Sequence, residues 1–174
     1  ESGKKVLPIF IFDEDILDLL ENKLDKRVDF IVQALQTLNS FLKSKNKGIK
    51  IFKGKPLEIY KKLSQNYEIE AVFCNEDYEP YAIKRDQEIA DFLASKKIAF
   101  HPFKDQVIFH KDEIVKADKK PYTVYTPYSK LWLNEFQKVD LRGFPSEKKL
   151  DNLLEIPFEE FKIEDIGFQK TDLA

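Results

Sequence analysis

Residues 6–12, "VLPIFIF", form a continuous apolar run. A run of this kind fits a strand buried on both faces, as in a parallel sheet covered by helices. Pro8 has no N–H to give to a ladder, so pairing near it should be interrupted. Three more short runs follow, "IKIF" (49–52), "EAVFC" (70–74) and "IAFH" (98–101). Helical patterns separate them. Asp25 can cap a helix that carries Val28, Ile31, Leu35, Leu38 and Leu42. Pro56 can open a second, with Leu57, Ile59, Tyr60 and Leu63, and Pro80 a third, with Ile83, Ile89, Ala90 and Leu93 facing inward. Strands alternating with helices, joined by right-handed crossovers, predict an α/β fold. The expected architecture is Rossmann-like, a three-layer α/β/α arrangement around a mostly parallel sheet.

The pattern changes after His101. Residues 106–109, "QVIF", read as a short strand, and 112–116 as a helical turn. Thr126-Pro127 should open a helix anchored by Leu131, Trp132 and Phe136. From Arg142 the chain is polar with scattered apolar residues. This divides the sequence into an α/β domain, 1–138, and a linker, 139–174, with no internal repeat.

A chain of 174 residues is long enough to bury a sizeable core, and 43% hydrophobic with 34% charged residues is the balance of a folded domain. The net charge of −2 gives no general attraction to nucleic acid or membrane. A single cysteine, Cys74, fits a reducing, cytoplasmic compartment and is expected in the core. No apolar run is long enough to span a bilayer. There is no Met, and "ESGKK" reads like the end of a helix with Gly3 as its cap. Both features are expected of an internal fragment.

Ligands of open α/β sheets collect at the C-terminal ends of strands. Two such ends carry polar groups here, Phe12-Asp13 and the stretch "NEDYEPYAIKRD" from Asn75. Pro80 fixes its own φ and pushes Glu79 toward extended backbone, just before the helix. Asp77 and Glu79 then stand two apart and can point to one side. They would either complement the helix N-terminus or rim a small aromatic ligand with N–H or hydroxyl donors. Asp86 should be partly buried and held by an ion pair or by a hydrogen bond to a neighbouring loop. Arg85 can hold a ligand carboxylate or phosphate, or pair with Asp77 or Glu79. His101 and His110 lack partners at metal spacing, so no metal is assigned. With 5 Gly there is no glycine-rich phosphate loop, as a nucleotide-binding module of the stress-protein or electron-transfer type would need. No nucleophilic triad is legible.

The blocks "VLPIFIFD", "RVDFIVQALQTL", "IFKGKP", "NEDYEPYAIKRD", "FKDQVIF" and "KPYTVYTPYSKLW" resemble, in order and spacing, the N-terminal α/β domain of the DNA photolyase/cryptochrome family. The resemblance covers roughly residues 3–136, and more loosely "IEDIGF". It implies a partner, the helical FAD-binding domain of the same protein. In photolyases that domain repairs pyrimidine dimers in DNA with blue light, and damaged DNA is met through it. It also implies an antenna chromophore in this domain (a folate, a deazaflavin or a flavin) at the C-terminal edge of the sheet. In deazaflavin-type members the acids matching Asp77 and Glu79 lie at that pocket. The cofactor-binding candidates are therefore Phe12, Asp13, Asn75, Asp77, Glu79 and Arg85. No catalytic residue is expected, since the FAD domain is not in this chain. A cryptochrome-like photoreceptor domain is the alternative. The family's opening strand is also missing before Glu1. A segment upstream, or another chain, is expected to supply it, because buried unpaired backbone is costly, about 1–3 kcal/mol per group.

Overall fold

The computed structural model describes residues 4–140 and 142–173; the Gly3 cap lies outside them. The chain forms two compact units, one of residues 1–66 with 145–174, the other of residues 67–144.

In the first unit β1 (Ile9–Asp13) runs parallel to β2 (Lys50–Gly54), in register from Ile9 opposite Lys50 to Asp13 opposite Gly54. Between them lie the short α1 (Glu14–Leu17) and the long α2 (Lys26–Lys43), and α3 (Pro56–Asn66) follows β2. β1 starts later than the apolar run that marks it. Pro8 cannot donate, and only its carbonyl joins the pairing, accepting from the Lys50 amide at 3.0 Å. Val6 instead makes an isolated parallel bridge with Leu153.

Asp25 caps α2 as its spacing predicts. Its carboxylate accepts from the Arg27 amide at 2.9 Å and pairs with the Arg27 guanidinium at 2.6 Å. The buried stripe of α2 is Val28, Val32, Leu35 and Leu42. Ile31 and Leu38, expected inside, are exposed, because the 3.6-residue period through Val28 and Leu35 selects Val32 and the polar Asn39 in their place. Asn39 is buried for a reason the apolar pattern does not carry: its side-chain oxygen accepts the Ile49 amide at 2.8 Å, just ahead of β2. Gly54 closes β2 at φ 148°, and a Cβ there would meet Ile59 at 3.3 Å.

The polar tail contributes to this unit's core. Ile163, Ile166 and Phe168 are buried with Phe12, Leu17, Val28, Val32 and Leu35. Phe161 stacks on Phe12 at 5.4 Å. Asp29, 2% exposed, fastens the end of the tail by accepting the Thr171 amide (2.7 Å) and hydroxyl (2.5 Å), with Gln33 at 3.1 Å. These bonds favour the ionised form and hold its pKa below the ordinary carboxylate value.

In the second unit β3 (Ala71–Asn75) pairs in parallel with β4 (Ala99–Phe103) through α4 (Pro80–Ser95), and α5 (Tyr125–Phe136) follows. The α/β class and the parallel pairing are those read from the sequence. The described strands pair as two two-stranded ladders, one per unit, rather than as one four-stranded ladder. The inward stripe of α4 runs through Ala82, Ile89 and Leu93, with Ile83 half exposed on a neighbouring face. Residues 106–109 form an irregular loop, not a strand. The Phe109 ring meets Trp132 of α5 edge-on at 5.4 Å, while Val107 and Ile108 are exposed, so side-chain packing rather than a ladder holds the segment. α5 begins one residue before Thr126, which puts Pro127 in the first turn, where a missing N–H costs no bond. Cys74 is half-buried rather than a core residue. Desolvation, followed by the nearby Asp86 charge, raises its thiol pKa. No described helix is long and apolar enough to cross a membrane.

Candidate functional site

In the second unit the C-terminal end of β3 turns sharply into α4. Asp77 folds back so that its carboxylate accepts the Glu79 amide at 3.1 Å, and Pro80 occupies the first helical position. An Asx-type turn and a proline in series make a stiff corner. Glu79 is the residue before the helix, extended at ψ 141°, as the proline requires. Its carboxylate makes no capping bond and is exposed to solvent. Of the two acids, then, Asp77 serves the turn and Glu79 is held outward.

Asn75, the last residue of β3, donates to Asp105 at 2.8 Å. Arg85 pairs with Asp86 at 2.8 Å, both about four-fifths buried, and lies 5.9 Å from the centre of the Tyr81 ring. Of the two partners open to Asp86, an ion pair or a loop hydrogen bond, the structure shows an ion pair, made by its sequence neighbour.

Loop 104–113 closes over this corner through residues the sequence reading did not group. His110 Nε2 lies 3.2 Å from a Glu76 carboxylate oxygen, and its ring meets Tyr78 edge-on at 5.5 Å. Glu113 accepts the His110 amide and the Lys104 ammonium, the latter at 2.7 Å, and these contacts lower its pKa. The Tyr78 hydroxyl is buried without a hydrogen-bond partner among the described residues, and desolvation raises its pKa. No spacing rule marks these contacts, since Asn75 and Asp105 stand 30 residues apart. Among the described residues no group of three or more His, Cys, Asp or Glu is placed to hold a metal ion.

The other two candidates belong to the first unit. Phe12 is 4% exposed, and its ring packs on Phe10 and Phe161 in the core. Asp13, 6% exposed, ends β1 and caps α1 by accepting the Asp15 amide at 3.1 Å. Both have structural work within their own unit.

Parallel strands joined by crossover helices define the class, an α/β domain with polar strand ends. The particular family follows from comparison. The DNA photolyase family model matches residues 1–148, so the chain belongs to the DNA photolyase family. A deoxyribodipyrimidine photo-lyase of Alkalihalophilus pseudofirmus is 32% identical over 127 residues, 72% of this chain and 26% of that enzyme. The chain thus spans about a quarter of that relative's length. The crystal structure of a class III photolyase from Agrobacterium tumefaciens superposes with TM-score 0.70 at 18% identity, covering 98% of this chain and 34% of that one. An archaeal photolyase from Sulfolobus tokodaii, solved with two FAD molecules and described as implying a novel light-harvesting cofactor, gives TM-score 0.59 at 23% identity, with 80% and 30% covered. At these identities the two structures establish the fold.

Proposed function

We propose that the chain is the antenna-chromophore domain of a cytoplasmic, deoxyribodipyrimidine photo-lyase-like flavoprotein. Residues 1–138 carry the strands and α-helices of the α/β domain, and 139–174, whose tail packs back into the first unit, would lead toward a helical FAD-binding domain through which damaged DNA is met. The antenna, a folate, a deazaflavin or a flavin, takes its contacts from Asn75, Asp77, Glu79 and Arg85 of the second unit. The observation that carries this reading is the corner at Asp77–Pro80. It presents an exposed Glu79 carboxylate on stiff backbone at a strand's C-terminal end, and nothing in the helix cap uses it.

The donor chemistry favours a ring with N–H or hydroxyl groups. Glu79 and the second oxygen of Asp77 offer acceptors, whereas Arg85 is engaged with Asp86 and Asn75 with Asp105. A bound antenna absorbs light and passes the excitation on. The protein's part is to hold its ring and keep it fixed.

The domain by itself should neither repair dimers nor bind DNA tightly, because its net charge of −2 gives phosphate no general attraction. Fluorescence titration with a folate, a flavin and a deazaflavin, beside a blue-light repair assay on dimer-containing DNA, tests the reading. Saturable binding of at least one chromophore without repair is the expected result. Repair by this chain alone, or binding of none of the three, would overturn it.

A further inference from the structure

At the opposite end of the β1–β2 ladder from Asp13, α2 stops in a way that exposes an anomaly. Asn46 is left-handed at φ 55°, the Lys47 amide donates to the Leu42 carbonyl at 3.1 Å and the Asn46 amide to Lys43 at 3.1 Å. These are the paired bonds of a Schellman stop, in which the residue after the left-handed one commonly makes a hydrophobic contact back to the helix. Here that residue is Lys47, and its side chain is 7% exposed. A buried ammonium brings three donors and needs acceptors for them. Among the described residues its one partner is Glu155, at 3.2 Å, and that carboxylate is 77% exposed.

The surroundings form an open cavity of about 450 Å³, within the range of small-molecule sites. Lys43 places a second ammonium there, 4.2 Å from the centre of the Phe158 ring. Ile156 and Phe158 supply an apolar wall. The tail that brings them is fastened by the Val6–Leu153 bridge, and Ile156 sits where Gly48 leaves room, 3.4 Å from the position a Cβ would take. Lys43 and Lys47 against Glu155 leave one net positive charge.

We propose that this cavity is a second binding site, for a small organic oxyanion: a phosphate or carboxylate bearing an apolar group. Its oxygens take the ammoniums of Lys47 and Lys43 as Glu155 swings outward, and its apolar part lies against Ile156 and Phe158. Glu155 acts as an internal stand-in for the ligand, which explains an exposed carboxylate as the partner of a buried lysine.

Calorimetric titration of the chain with phenyl phosphate, benzoate and inorganic phosphate tests the site, the first two separating phosphate from carboxylate preference. Saturable binding of phenyl phosphate or benzoate, tighter than inorganic phosphate, is expected. Lys47→Gln should weaken it roughly tenfold or more, as loss of a charged hydrogen bond does. Glu155→Gln, at an exposed position, should tighten it, because the competing carboxylate charge is gone. Phe158→Ala should erase the advantage over inorganic phosphate. Absence of saturable binding by both organic anions, or a Glu155→Gln protein that binds no more tightly than the parent, would overturn the proposal. The second of these holds even if Lys47→Gln fails to fold.

Discussion

Glu79 and Asp77 look alike in the sequence and differ in the structure. Both are acids flanking a proline-led helix, and their roles separate only when hydrogen bonds are known. Asp77 stiffens the corner; Glu79 makes no capping bond and stays exposed. Replacing Asp77 would therefore confuse loss of a contact with loss of the turn, whereas Glu79→Gln keeps the backbone and removes only the charge. The conformation at Glu79 was legible because proline dictates it, and the Asp25 cap was legible for an equally local reason. Asp29 was not: its partner, Thr171, lies 142 residues away. Asp25, held down to about 2 by Arg27, and Asp29, lowered by Thr171, make the same prediction about pH. Both folded-state values lie below the unfolded one, so their stabilisation is complete above the ordinary carboxylate range. It is lost as pH falls from about 4 toward 2. Urea midpoints measured across that window should fall in the parent, and Asp29→Asn should flatten the decline. An unchanged slope in that variant would remove Asp29 from the account.

Among the elements, α4 carries the corner, and its anchor is Leu93, which is wholly buried. Leu93→Ala should destabilise the second unit by about 2–5 kcal/mol through the cavity left behind, measured by denaturant unfolding. Gly54, at φ 148° against Ile59, should resist alanine, with a cost of roughly 1–3 kcal/mol for strained backbone. If Gly54→Ala unfolds at the parent's midpoint, the β2–α3 joint is looser than described. Strands and helices were readable where a single periodicity ran through them. The inward face of α2 was half misread because Asn39, polar and buried, occupies a core position for its bond to Ile49. Residues 106–109 misled for the converse reason: an apolar run with a β-like composition is held by the Phe109–Trp132 contact, which no local pattern encodes.

For the molecule as a whole, family membership was carried by blocks of specific residues and the α/β class by the order of elements. The placing of the tail was hidden. Residues 139–174 read as polar linker, yet Ile163, Ile166 and Phe168 complete the core of the first unit. Three apolar residues spaced irregularly in a charged segment have no period to betray them. Truncation after residue 144 should consequently cost the first unit much of its stability, seen as loss of a cooperative thermal transition. Survival of that transition would show the tail to be dispensable. The proposal that ties the β3–α4 corner to an antenna is tested most directly by one comparison, chromophore titration of the parent chain against Glu79→Gln. The predicted result is saturable binding of the deazaflavin, flavin or folate by the parent, weakened roughly tenfold or more in the variant, as expected for losing a charged hydrogen bond worth about 1.5–3 kcal/mol. Equal affinity in the two proteins, with both folded, would contradict a role for the β3–α4 corner in holding the chromophore.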